Sequence, residues 1–235
     1  MSRERAKEAI RAGDVKVNGQ TVRKPAAAIT ENDCIEVRGN SRTAYVGRGY
    51  LKLEKALNTF HIDVSGMRCL DVGASTGGFT QLLLARGASE ILAVDVGTGQ
   101  LARELREDTR VVNLEKTDIR TLTAEQIGEV AFACADVSFI SLQLVLPVIF
   151  SLLDEAGAVV CLLKPQFEAG PRGAGKRGVV KDPKVHAETI KQVLACAQAV
   201  GFSICGVTHS PIRGGGGQHR IFVIFAQKAA GCSIA

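Results

Sequence analysis

No stretch of the sequence approaches the roughly 20 consecutive apolar residues that a membrane-spanning helix needs. The opening Met-Ser-Arg-Glu-Arg-Ala-Lys has no apolar core behind its charges, so it lacks the pattern of a secretory signal. A soluble, cytoplasmic protein is the expectation. The cysteines at 34, 69, 134, 161, 196, 205 and 232 include no C-x-x-C pair. Neither a zinc site nor a redox motif is readable, and no metal is expected. These cysteines read as small buried hydrophobes in a reducing compartment. Behind the richest glycine turn there is no Gly-Lys-Ser/Thr, and Ser75 stands where G-x-G-x-x-G requires glycine. A nucleotide-dependent kinase is thereby disfavoured.

What is present fits one substantial core plus an appendage: 235 residues, 46% of them hydrophobic. The net charge of +5 is unevenly placed. Residues 1–52 hold 11 Lys/Arg against 6 Asp/Glu, leaving 18 of each sign in the rest. A basic excess confined to one end is a footprint of polyanion binding, and equally of a solvated face.

Residues 2–12 read as a short helix, with Ala6, Ala9 and Ile10 facing inward and Gly13 stopping it. Asn18-Gly19 between alternating apolar residues predicts a hairpin, followed by a strand at 35–37. The basic residues Arg3, Arg5, Lys7 and Arg11 on this unit are candidate RNA contacts. Residues 39–41 read as its exit linker. From residue 51 onward, helix-period and strand-period segments alternate, as a parallel sheet covered on both faces requires. Strands are expected at 69–72, 91–95, 111–114, 130–136, 158–164, 202–207 and 221–225, the last two as antiparallel candidates. Seven such strands match the methyltransferase variant of the doubly wound α/β fold. A helix carrying Pro147 is expected at 142–153, and the glycine-rich tracts 170–178 and 214–217 read as loops.

Residues 69–80 (C-L-D-V-G-A-S-T-G-G-F-T) run from an apolar strand through a glycine turn into a helix. Gly73, Gly77 and Gly78 allow a tight turn and close approach of a ligand to free N–H groups at the helix start, with Ser75 and Phe79 beside them. Asp95 ends the next strand, where a carboxylate accepts the ribose hydroxyls of a nucleoside. Asp71 is placed to position the rest of that ligand through the turn, and Asp118 to meet an adenine amino group. A nucleoside cofactor is the reading; hydride chemistry is its competitor.

Six blocks carry a resemblance: residues 45–53 (Y-V-G-R-G-Y-L-K-L), 70–80 (L-D-V-G-A-S-T-G-G-F-T), 93–101 (A-V-D-V-G-T-G-Q-L), 136–142 (D-V-S-F-I-S-L), 163–168 (L-K-P-Q-F-E) and 210–212 (S-P-I). In this order they resemble the signatures of the haemolysin A/TlyA family of ribosomal RNA 2'-O-methyltransferases, relatives of the FtsJ methyltransferases. The resemblance implies S-adenosylmethionine as cofactor, ribosomal RNA or ribosomal subunits as partner, and a Lys-Asp-Lys-Glu tetrad. It also implies a Rossmann-like seven-stranded methyltransferase domain (51–228) behind a linker (41–50) and a small α+β RNA-binding domain (1–40) similar to that of ribosomal protein S-four, lacking its first helix. Matched position by position, Lys52, Asp136 and Lys164 fall on the first three tetrad members. A ribose hydroxyl is a weak nucleophile, so a lysine freed of its proton would accept the hydroxyl proton during methyl transfer. Lys164 takes that role, with Lys52 and Asp136 holding it.

At the fourth position stands Arg220, in the run G-Q-H-R, where the family carries glutamate. A carboxylate replaced by a cation would repel a lysine ammonium instead of accepting from it. That substitution keeps a second reading open, an RNA-binding protein that retains the cofactor fold with impaired catalysis. A third, a haemolysin, is disfavoured by the lack of a membrane segment, a signal peptide or a strongly amphipathic cationic helix.

Overall fold

The computed structural model describes residues 3–37, 45–170, 179–212 and 221–227. The chain divides into two units, Met1–Arg48 and Gly49–Ala235.

In the first unit, helix α1 (Arg3–Ala12) precedes a three-stranded antiparallel sheet of β1 (Val15–Val17), β2 (Gln20–Val22) and β3 (Ile35–Val37), with β1 in the centre. Asn18 and Gly19 both have positive φ, 50° and 78°, the backbone a two-residue primed hairpin turn requires. Asn18 also accepts from the Cys34 backbone N–H at 2.8 Å and donates to Asp33 at 2.6 Å, which fixes the chain entering β3. Ala9 is buried, and Ala6 and Ile10 are half-buried, as the helical spacing predicts. The expected linker at 39–41 lies outside the described residues, as do 171–178 and 214–217 of the two glycine-rich tracts.

The second unit is built on one seven-stranded sheet. Its elements run α2 (Tyr50–Thr59), β4 (Arg68–Val72), α3 (Gly78–Ala85), β5 (Glu90–Asp95), α4 (Arg103–Arg106), β6 (Val111–Glu115), α5 (Ala124–Ile127), β7 (Val130–Ala135) and α6 (Leu142–Leu152). They continue with β8 (Leu153–Leu163), α7 (Pro165–Glu168), α8 (Pro183–Val200), β9 (Phe202–His209) and β10 (Ile221–Gln227). The strand order is β6-β5-β4-β7-β8-β10-β9. The first five are parallel, and their central members are apolar on both faces: Leu70, Leu92, Ala133 and Val159 are all buried.

All seven expected strands of this sheet form. Two details differ from expectation. β8 starts at Leu153, because Leu153 pairs with Val130 ahead of a register shift that the polar Asp154-Glu155 conceals in the sequence. The last two strands pair antiparallel with each other, but β10 is also antiparallel to β8, so β9 runs with the parallel five and β10 alone runs against them.

The strand order reverses between β4 and β7. There the carboxyl ends of two neighbouring strands diverge toward opposite sides of the sheet and leave a crevice, the usual ligand position of this architecture. Helix α6 covers the sheet beside the crevice despite Pro147. The Gln143 carbonyl, which residue 147 would cap in a regular helix, accepts instead from the Cys196 thiol at 3.8 Å. Cys69, Cys134 and Cys161 are buried, as expected, and Cys196 is half-buried; Cys34 is exposed, departing from the uniform reading. No helix among the described residues is long and apolar enough to cross a membrane, and none of their His, Cys, Asp and Glu side chains cluster as a metal site.

Candidate active site

The crevice is a cavity of about 810 Å³, within the range of small-molecule sites. Gly73, Ser75, Asp95, Asp118 and Asp136 of the sequence candidates line it; Asp71, Gly77, Gly78, Phe79, Lys52 and Lys164 do not.

The glycine turn is dictated by crowding. Gly73 has φ +85°, and a Cβ there would lie 2.9 Å from the Asp136 carbonyl oxygen. Gly77 opens α3 at φ +94°, and a Cβ would strike Leu105 and Leu101 at 2.2 and 2.8 Å. Its task is therefore packing against the chain that follows β5. Gly78 is seated against the Tyr50 backbone nitrogen, and Phe79 is buried beneath the turn.

Asp71 faces inward. Its carboxylate accepts from the Thr80 hydroxyl at 2.6 Å and lies 3.8 Å from the Cys134 thiol, with no exposure of its own. Burial pushes its carboxyl up to about 7 against the opposing Thr80 hydrogen bonds. Asp95 collects the backbone N–H groups of Ser75 (2.8 Å) and Gly97 (2.7 Å), joining the glycine turn to the loop after β5. That loop is clasped from the other side by Glu115, which accepts from the Gln100 and Leu101 N–H groups at 2.6 and 3.2 Å. Hydrogen bonds led by the one from Asn113 hold the Glu115 carboxyl well below its usual range. Gln100 closes the ring by accepting from the Ser75 hydroxyl at 3.2 Å. Asp118 caps the helical turn Ile119–Thr121 and is held by Arg120 through two guanidinium nitrogens, so its carboxylate is shared before any adenine meets it.

The expected lysines and aspartate meet behind the Asp136 end of the cavity wall, with neither lysine lining the cavity itself. Lys52, from α2, reaches Asp136 Oδ2 at 2.5 Å; Lys164, at the end of β8, reaches Oδ1 at 2.7 Å. Their side chains are 8%, 3% and 16% exposed for Lys52, Lys164 and Asp136. Burial alone would raise the Asp136 carboxyl, but the two ammonium groups outweigh it and hold it low. Lys164 Nζ also donates to Ser138 Oγ at 2.7 Å and to the Asp136 carbonyl at 3.2 Å. Ser138 and the Asp136 carbonyl thus take two donors of its ammonium form, while Asp136 Oδ1 faces its charge. One carboxylate between two ammonium groups leaves a net positive charge in a nearly dry place, and loss of one lysine proton removes it.

Ser138, Thr80 and Gln100 were not identified from the sequence. All three stand within quoted blocks, but the partners of Ser138 and Gln100 lie 26 and 25 residues away, and no spacing rule links them. Arg220 lies outside the described residues; Ile221, next in the chain, pairs with Leu163, the neighbour of Lys164. Of the RNA candidates, Arg3 and Arg5 lie on α1, Lys7 is half-buried and Arg11 is exposed.

The model of FtsJ-like methyltransferases matches residues 45–228, which include the glycine turn, both lysines and Asp136. The chain belongs to the FtsJ-like methyltransferase family. Ahead of that match, the S4 domain model covers residues 2–35. The chain is 47% identical over 94% of its length to the 16S/23S rRNA (cytidine-2'-O)-methyltransferase TlyA of Mycobacterium tuberculosis, covering 83% of that protein. It is 40% identical over 92% of its length to hemolysin A of Brachyspira hyodysenteriae, covering 90% of it. A solved structure from Streptococcus thermophilus, provisionally described as a hemolysin, superposes with a TM-score of 0.78 at 42% identity over 96% of this chain and 83% of that one. An S-adenosylmethionine-dependent methyltransferase from Mesorhizobium loti shares the fold at a TM-score of 0.57 and 17% identity, over 74% of this chain and 96% of that one.

Proposed function

We propose that this FtsJ-like methyltransferase moves a methyl group from S-adenosylmethionine to a ribose 2'-hydroxyl of ribosomal RNA, working on ribosomal subunits in the cytoplasm. The observation that carries the reading is the buried Lys52–Asp136–Lys164 cluster, whose Asp136 and Ser138 open onto the same cavity as Asp95 and the glycine turn. The cofactor fits the donor set. Asp95 offers carboxylate oxygens for ribose hydroxyls, Gly73 lets the turn and the Asp136 backbone close together at the cavity wall, and Asp118 also lines the cavity. When bound, S-adenosylmethionine supplies an electrophilic methyl group on a sulfonium.

The chain's own groups do the remainder. Lys164, as the neutral amine, accepts the proton that the 2'-hydroxyl sheds as its oxygen takes the methyl group. Asp136 then holds the resulting ammonium, and Lys52 keeps the carboxylate ionised and aimed. Phe139, 92% exposed on the cavity rim and held at φ +63°, offers a face for the base of the target nucleotide, with Phe167 5.1 Å behind it. Arg3, Arg5, Lys7 and Arg11 dock the RNA, a role supported by the S4 match over residues 2–35, which lie within the stretch 1–52 that holds the charge excess.

The second reading rests on Arg220. One experiment separates the two: transfer of labelled methyl from S-adenosylmethionine to subunits lacking the modification, by wild type, Lys164→Ala and Arg220→Glu. Incorporation by wild type that vanishes in Lys164→Ala supports the enzyme. No incorporation by wild type, restored in Arg220→Glu, means that the fold persists while catalysis has decayed.

A further inference from the structure

Lys164 is held by a segment that has to be held itself. Strands β7 and β8 are parallel neighbours, and the chain leaves both at the same edge, as residues 136–141 on one side and 164–168 on the other. The two segments are joined at three levels. Lys164 donates to the Asp136 carbonyl and to Ser138; the rings of Phe167 and Phe139 meet at 5.1 Å; and the Glu168 carboxylate accepts from the Ser141 hydroxyl at 2.6 Å and the Leu142 N–H at 2.8 Å.

The third link closes the loop. Its near end is pinned by the Asp136 N–H bonded to the Val72 carbonyl at 2.9 Å. Between the pins sits Phe139 in the left-handed region, a conformation that an aromatic residue keeps only where its surroundings impose it. Glu168 is the far pin. It is buried, and it ends α7, the short helix that begins immediately after Lys164. It satisfies the first backbone N–H of α6, one of the donors a helix leaves open, while its charge suits the positive end of the helix. With that pin gone, Phe139 can relax toward an ordinary conformation and draw Ser138 off Lys164.

We propose that Glu168 is a positioning residue for methyl transfer, fixing the loop that presents Ser138 and the Asp136 carbonyl to Lys164. This rests on the assignment of Lys164 as the base. It predicts that Glu168 acts on turnover more than on cofactor affinity: the loop it pins, residues 136–141, forms the wall of the cavity beside Lys164, whereas the ring of bonds among Asp95, Glu115 and Ser75 does not include it.

The test is steady-state kinetics of the full chain on undermodified ribosomal subunits, with Glu168→Ala, Glu168→Asp, Glu168→Gln and Lys164→Ala. Glu168→Ala is expected to lower kcat roughly ten- to a hundredfold with a much smaller change in the KM for S-adenosylmethionine, the scale of a small misplacement of a reacting group. Glu168→Gln keeps an oxygen for the Leu142 N–H and an amide N–H for the Ser141 oxygen, so it should restore most of the loss. Glu168→Asp keeps the charge but not the reach, and should behave like Glu168→Ala; it gives the same reading if Glu168→Ala fails to fold. A wild-type kcat in Glu168→Ala and Glu168→Asp overturns the proposal, as does Glu168→Gln as slow as Glu168→Ala, or a raised cofactor KM at full kcat. An active Lys164→Ala would instead overturn the base assignment beneath it.

Discussion

Asp136 serves two ammonium groups with one carboxylate, so its removal does more than delete a single interaction. Asp136→Asn leaves Lys52 and Lys164 buried without a counter-charge, and breaking a buried ion pair from one side costs about 3–5 kcal/mol. The expected outcome is a sharply lowered Tm together with loss of methyl transfer. Lys164→Ala removes a charge rather than stranding one, and should lose about 10²–10⁴ in kcat while keeping its melting temperature closer to wild type. The contrast between the two variants, read by thermal melts beside methyl incorporation, distinguishes a structural ion pair from a catalytic one.

Asp71 sets a pH dependence of opposite sign to the usual carboxylate. Its carboxyl is raised to about 7 in the fold, against roughly 3.9 in an unfolded chain. Between those values the native state binds the extra proton, so this group's contribution to stability falls as pH rises from about 4 to about 7 and is level above. Asp71→Asn keeps an oxygen for Thr80 and cannot ionise. The Tm difference between Asp71→Asn and wild type should therefore move in favour of the variant across that window, and a difference independent of pH would show that Asp71 ionises as an ordinary carboxylate.

At the level of elements, the long helix α8 is fixed at both ends by its own sequence. Asp182 accepts from the Lys184 N–H at 2.9 Å with Pro183 in the first turn, and Gly201 ends the helix at φ +119°, where a Cβ would press on the Phe150 ring at 2.8 Å. Asp182→Ala should cost about 1 kcal/mol in denaturant unfolding and leave cofactor affinity intact. Such local chemistry is why the elements were legible in the sequence. Glycine after an apolar run, Asn-Gly between alternating residues and the continuous apolar strands of a parallel sheet each act within a few residues. What was not legible depends on pairing between distant segments. The early start of β8 is set by Val130, and the direction of β9 by its neighbour β10. In the site, residues that stand in the strand-end motifs, Asp95 and Asp136, could be named, whereas Ser138 and Glu168 acquire their partners only when two strand ends come to lie side by side.

For the whole molecule the informative quantity is where the charge sits. From residue 53 onward the chain carries 18 charges of each sign, so the methyltransferase unit, which adds only Lys52 to these, offers a polyanion little net attraction. The excess of five positive charges falls in residues 1–52, the stretch that contains the S4 match. Long-range attraction to RNA should then come from the first unit and chemical discrimination from the second, and the two should separate experimentally. Replacing Arg3, Arg5, Lys7 and Arg11 together with glutamine is expected to weaken RNA binding and to flatten the slope of log K against log salt by about 0.7–0.9 for each phosphate that is no longer neutralised. The affinity for S-adenosylmethionine, measured by titration calorimetry, should not change. An unaltered salt slope would place the RNA-binding groups elsewhere on the chain and reduce the charge asymmetry to a solvated face.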